Sequence, residues 1–351
     1  MDGNHKNDGE MKNKKGVTIY DIANELKVSP STVSRALKDH YSISKEMIKE
    51  VKKVAQKRGY RPNSIAASLR NNRTNNIGVI ISWINRPFIS SLISGIEEEA
   101  NKAGYNVIIS QSHDSFDNEV ANARALYDSR ISGLVVSLAM ETQNYDHFSQ
   151  FIKNNIPVVF VDRVTDELNS DKVVIDNFSA GFMATEHLIE QGGERIALAC
   201  GSQHRNIYRE RENGYLAALR EHNIPIKEEY ILHSELLNAE EGFRIAEHFL
   251  SMDNPPDAIF SVNDTAAVSI IQYAKGQGIE IPQDLAVMGF NNDPVSLIID
   301  PQLSTVSHPA IEMGKLAAQQ VLKQNQYKDV VKSETVMLRT ELLVRASTKR
   351  K

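Results

Sequence analysis

The sequence predicts two unlike parts in one chain: an all-α head with the spacing of a helix-turn-helix, and an α/β body of two doubly wound parallel-sheet lobes. Three observations carry this. Charge is split: residues 1–75 hold 16 Lys and Arg against 8 Asp and Glu, a net of +8, while the other 276 hold 24 against 37, a net of −13. In the head, apolar residues recur at helical spacing in three short runs. Beyond residue 76, apolar runs of strand length alternate with amphipathic runs of helix length, in a series that restarts near Asp176. The net charge of −5 over 351 residues hides the split; a basic head on an acidic body points to nucleic-acid contact by one end only.

Residues 1–16 read as a disordered, solvated leader. They lack the apolar core of a signal peptide, so a cytoplasmic location is expected. Thr18 caps a helix that buries Ile19, Ile22, Ala23 and Leu26. Ser29-Pro30 supplies a capping hydroxyl and a proline at the first position of a second helix, where its missing N–H costs nothing. That helix turns Val33, Ala36 and Leu37 inward and leaves Ser31, Thr32, Ser34, Arg35 and Lys38 outside. A third helix from Ser44 to about Arg58 keeps five lysines outside: Lys45, Lys49, Lys52, Lys53 and Lys57. Two short helices joined by a tight turn, the second with short polar side chains and one long donor, suit entry into a major groove. Arg35 reaches a guanine edge, Ser31 and Thr32 serve bases or phosphates, and the lysines add attraction without sequence information. After Gly59 and Pro62, Asn63 caps a last short helix, too short to be stable alone, whose Leu69 either contacts the body or, with a twin helix packed beside it, wedges into a minor groove.

In the body, strands are expected at 77–82, 106–110, 133–138, 157–161, 172–175, 195–199, 258–262 and 285–289, with helices between them. Nearly continuous apolar strands argue a parallel sheet covered on both faces. Ligands in such sheets bind beyond the carboxyl ends of the strands. There lie Asn85 to Phe88, His113-Asp114, Asp162-Arg163, Gly201 to Arg211, Asn263-Asp264 and Asn291 to Asp293, a set of amides, carboxylates and guanidinium groups that suits a hydroxyl-rich ligand. No phosphate loop, zinc motif or nucleophile elbow occurs, and Cys200, the single cysteine, reads as a buried thiol. No cofactor, metal site or catalytic group is expected.

The runs TIYDIANELKVSPSTVSRAL, GYRPNSIAASLR and IGVII resemble the start of the lactose/galactose-repressor family of bacterial transcription regulators. GSQHRNIYRERENGYLAAL, FSVNDTAAVSII, IPQDLAVMGFNNDP and LSTVSHP extend the resemblance over about residues 17–345. The resemblance implies a head at 17–62, a hinge helix and linker at 63–75 that folds on DNA, and an effector-binding and dimerisation domain at 76–345. That domain would have the periplasmic-binding-protein fold, with an N-lobe at 76–175 and 306–331 and a C-lobe at 176–305 and 332–345. By position, Pro30, Ser31 and Arg35 would face bases, Thr18, Tyr20, Thr32, Ser34, Ser44 and Asn63 the DNA backbone, and Leu69 the minor groove. Phe88, Asp162, Arg205, Arg211, Asn263 and Asn291 would bind the effector.

The chain departs from the family pattern at three positions. Pro30 lacks a long polar side chain, Asn291 replaces a frequent aspartate, and Leu237 stands where an aromatic often stacks on the ligand. The implied function is a homodimeric regulator, a repressor, on double-stranded operator DNA under the control of a sugar-like effector. A periplasmic-type solute receptor and a sugar-modifying enzyme are the alternatives: the first lacks its signal peptide here, the second an activated nucleophile.

Overall fold

The computed structural model describes residues 17–60, 73–326 and 333–350. The leader and the expected hinge helix, with Asn63 and Leu69, lie outside them. The chain divides into two units, 1–74 and 75–351.

The first unit holds α1 (Ile19–Leu26), α2 (Pro30–Leu37) and α3 (Lys45–Lys57). Its core is Ile22, Ala23, Val33, Ala36, Val51 and Ala55, the inward positions of the helical spacing. Each start is capped. The Asp21 carboxylate accepts both the N–H and the hydroxyl of Thr18, each at 2.7 Å. Ser29 Oγ accepts the Thr32 N–H at 3.1 Å, and Ser44 Oγ that of Met47 at 3.2 Å. Lys27, at φ 53°, turns the chain between α1 and α2. Arg58 pairs with Glu25 and ties α3 to α1.

The second unit carries two six-stranded sheets. The first contains β1 (Asn76–Ile81), β2 (Asn106–Gln111), β3 (Gly133–Val136), β4 (Val158–Val161), β5 (Asp171–Ile175) and, far along the chain, β11 (Thr335–Leu338). Their order is β11-β5-β4-β3-β1-β2, all parallel. The second contains β6 (Ile196–Cys200), β7 (Ile231–His233), β8 (Ala258–Ser261), β9 (Ala286–Asn291), β10 (Ser304–Ser307) and β12 (Leu342–Leu343). Its order is β12-β10-β9-β8-β6-β7, parallel except for β12. Central strands such as β3 and β4 are buried along their whole length, as helices on both faces require.

The covering helices are α4 (Pro87–Lys102), α5 (Phe116–Asp128), α6 (Asp146–Lys153), α7 (Asn177–Glu190), α8 (Asn206–Glu221), α9 (Ala239–Leu250), α10 (Asp264–Gly276), the single turn α11 (Val295–Ile298) and α12 (Ala310–Gln326). Two helix pairs touch through their backbones. A Cβ on Gly181 of α7 would stand 2.2 Å from the Arg211 carbonyl oxygen of α8, and one on Gly214 of α8 2.2 Å from that of Phe178. Gly95 and Gly314 bring α4 and α12 together in the same reciprocal way.

The chain passes between lobes three times, after β5, after β10 and after β11. Here the structure corrects the sequence reading, which returned the chain to the C-lobe at 332. Thr335–Leu338 pairs with Lys172–Ile175 in the first sheet, and the last crossing follows it. A four-residue strand with half-exposed side chains has no local signal strong enough to name its sheet; the partner strand decides.

Among the described residues no helix is long and apolar enough to cross a membrane.

Candidate functional site

On the head, α2 presents the residues expected to meet DNA. Ser31 and Arg35 are exposed and four residues apart, which puts them on one face; Pro30, Thr32 and Ser34 are half-buried. Ser29 Oγ lies 2.8 Å from both the Ser31 and the Thr32 hydroxyl, so the start of the helix is a small ordered cluster of oxygens. Thr18 and Ser44 are exposed at the starts of α1 and α3, and Tyr20 is 65% exposed. Lys49 is exposed, whereas Lys52 is engaged with Asp39 at 2.7 Å. Sequence reasoning missed Tyr41, 93% exposed before α3 and stacked on His40 at 4.4 Å.

In the body, a cavity of about 480 Å³ opens between the lobes. Its walls are mostly strand ends: Ser82, Trp83 and Asn85 to Ile89 follow β1, Asp162-Arg163 β4, Leu236 to Asn238 β7, Val262, Asn263 and Thr265 β8, Asn291 and Asp293 β9, and His308 β10, with Ile207, Tyr208 and Arg211 from α8. Of the six expected effector residues, Phe88, Asp162, Arg211, Asn263 and Asn291 line it. Arg205 does not. Its guanidinium donates across the lobes to the Thr142 carbonyl, and Thr142 is held by the buried Glu119 carboxylate at 2.8 Å. Arg86 makes a second interlobe contact, donating to the Leu236 carbonyl at 3.2 Å, and Asn206 accepts the Val164 N–H at 3.3 Å.

Three non-glycine cavity residues sit at positive φ: Asp162 at 64°, Leu237 at 45° and Asn291 at 115°. Such backbone is costly for a side-chain-bearing residue and collects at ligand sites. Asn263 caps α10, its Oδ1 accepting the Ala266 N–H at 2.8 Å while its Nδ2 donates to the Leu237 carbonyl at 2.8 Å. Arg211 is buried, with Nε on Asn177 Oδ1 at 2.9 Å, Nη1 on the Val262 carbonyl at 3.1 Å, and its plane 3.6 Å from the Phe290 ring centroid. Burial pulls its pKa down and Asp162 pulls it back. Arg163 donates to Asp114 at 2.5 Å and is held charged by it against burial.

Beneath the floor, Asp264 accepts the Asp293 N–H at 2.6 Å and the Thr305 hydroxyl at 2.7 Å. Burial pushes Asp264 up to about 7 and Asp293 up to about 6. Cys200 is buried and its thiol is pushed up to about 12, which leaves it inert. His308 was not foreseen. Its ring stacks on Phe88 at 4.0 Å, Nδ1 lies 3.3 Å from Asn291 Oδ1, and Nε2 lies 3.7 Å from Asp162 Oδ1. The only signal for it was the β-branched pair Thr305-Val306, too short to mark one more strand end.

Residues 18–63 match the bacterial regulatory proteins, lacI family, and residues 185–348 match the periplasmic binding protein-like domain. The HTH-type transcriptional repressor CytR of Escherichia coli (strain K12) is 32% identical over 338 residues, 96% of this chain and 98% of that protein. Among solved structures, the lac repressor dimer bound to operator and the anti-inducer ONPF superposes with a TM-score of 0.84 at 23% identity, over 95% of this chain and 99% of that one. A LacI family transcriptional regulator from Enterococcus faecium with bound ribose gives 0.69 at 25% identity, over 78% and 98%. A basic helix-turn-helix and a two-lobed cavity in one chain, with full-length similarity to such a repressor, lead to one conclusion: the chain belongs to the lacI family of bacterial regulatory proteins, DNA-binding transcription regulators and not enzymes.

Proposed function

We propose that this regulator works in the cytoplasm as a homodimer on a pseudo-palindromic operator, with a sugar-like effector in the interlobe cavity setting its operator affinity. The observation that carries the reading is the pairing, in one chain, of an α2 that keeps Ser31 and Arg35 exposed with a cavity lined by both lobes. Arg35 reads a base edge with Ser31 beside it, and Pro30 adds an apolar contact. Thr18, Tyr20, Thr32, Ser34 and Ser44 position the phosphates. Asn63 contacts the DNA backbone and Leu69 enters the minor groove, as the family resemblance implies. The relative with bound ribose supports a sugar as the ligand class. Self-association is supported by Leu297 and Ile298, apolar and 54% and 80% exposed on α11. Effector and operator are linked through one free energy, so each changes the other's affinity by the same factor.

Selection of binding sites from random duplex DNA by the full-length chain, with and without a ligand found by thermal-shift screening of sugars and sugar phosphates, tests this reading. Pseudo-palindromic sites are expected, with an affinity that the ligand changes. Arg35→Ala should cost roughly 1–3 kcal/mol on the selected site and flatten the preference at one position, whereas Lys49→Ala should weaken all sequences alike. An equal loss on every sequence for Arg35→Ala, or ligand-independent affinity, would count against it.

A further inference from the structure

We propose that Arg205 is a clasp between the lobes: its guanidinium, bound to the Thr142 carbonyl, sets how readily the cavity opens. This goes beyond the effector reading above and rests on it only for the use to which opening is put.

The three crossings lie to one side of both sheets, beside β5 and β11 in the first and β10 in the second. Contacts between lobes on the other side have the longer lever against opening. Arg205 stands there. It follows β6, three strands from β10, and Thr142 follows β3, two strands from β5.

The acceptor is fixed by its own lobe. Thr142 is buried, and its hydroxyl donates to Glu119 Oε1 at 2.8 Å. The Ala139 N–H donates to Glu119 Oε2 at 2.7 Å, and His147 Nε2 from α6 lies 3.1 Å from Oε1. Held this way, the Thr142 carbonyl does not follow Arg205 when the lobes part; the bond between them has to break.

The donor belongs to one lobe by sequence and to the other by electrostatics. Arg205 is 5% exposed, and burial pulls its pKa below the ordinary arginine value, so closing the lobes carries a desolvation cost. The groups that act most on its charge, Tyr145, Arg163 and Glu119, all stand in the opposite lobe. Its Nε is buried without a partner, and opening returns that N–H to water. One charge-assisted bond set against one unmet donor gives a clasp that holds and still releases. Arg86 crosses as well, but it is half-buried, so water competes for its 3.2 Å bond to the Leu236 carbonyl.

Trp83, the chain's single tryptophan, lines the cavity, so its quenching by acrylamide in the full-length chain reports opening and needs no effector. Arg205→Ala should lower the ratio of closed to open forms roughly tenfold, the order expected for one hydrogen bond to a charged group, and so raise the quenching constant. Arg205→Lys restores a charged donor and should bring quenching back toward the wild-type level. Arg205→Met restores only the stem and should not. Thr142→Val, which frees the loop from Glu119, should raise quenching from the other lobe. It carries the test should the Arg205 variants not fold, as judged by melting. Wild-type quenching in Arg205→Ala, or in Thr142→Val where it stands alone, overturns the clasp. Rescue by methionine as complete as by lysine also overturns it, because packing and not the bond then holds the lobes. Either result leaves the effector reading standing, since that reading fails in the operator selection above.

Discussion

Asp264 has no exposed surface, yet it carries a carboxyl that the unfolded chain ionises near 3.8 and the fold holds protonated up to about 7. Between those values the native state keeps a proton that the unfolded state has released. The stability tied to it is complete at acid pH and is lost as pH rises from about 4 to about 7. At 1.36 kcal/mol per unit, the loss is roughly 4 kcal/mol at most, and Asp293, raised to about 6, adds to it with the same sign. Wild-type protein should therefore melt lower at pH 8 than at pH 5, and Asp264→Asn should shrink that gap, measured by thermal melts at both values. A gap of the same size in the variant would place the titration elsewhere. Single residues were legible in the sequence where they followed a visible strand, as Asp162, Asn263 and Asn291 did. His308 was not, because its strand of four residues carries little pattern. Arg205 was legible as a cation at a strand end, but only the opposite lobe decides that it meets the Thr142 carbonyl and not the cavity.

Helices were readable from their spacing and caps, and the central strands from their apolar runs. The short strands β7, β10, β11 and β12 were not, since two to four residues carry little pattern and β11 and β12 are defined by partners remote in sequence. Nor did the spacing reveal how closely α7 and α8 approach. At their crossing Gly181 faces the backbone of Arg211, so the glycine sets where that guanidinium stands. Gly181→Ala should cost about 1–3 kcal/mol by overpacking and should weaken ligand binding at the cavity, read by thermal melts and by Trp83 fluorescence. Gly276, at the end of α10, offers the contrast: nothing lies within 4 Å of an added Cβ, and its φ is not positive. Gly276→Ala should stabilise by about 0.4–1 kcal/mol through the unfolded state. Equal effects from the two alanines would mean that the α7–α8 contact does not decide the outcome.

At the scale of the molecule, the net charge of −5 is the sum of a head suited to phosphate and a body that is not. The proposed dimer needs a face, and α11 has the apolar surface for it. Ile298→Asp should give a monomer by sedimentation and lower operator affinity by more than tenfold, because one head then binds without its twin; a dimer that persists would place the interface elsewhere. The three crossings between lobes have a further consequence, in the order in which the protein is made. The head closes its own core by residue 60, but the first sheet waits for β11 and the second for β12, the last elements to leave the ribosome. Because domains fold as units from the N-terminus during synthesis, a nascent chain has a finished DNA-binding unit long before it has a finished sensor. A chain cut short before residue 335 therefore keeps the closed core of its head while β5, left without β11, stands as an open edge of the first sheet.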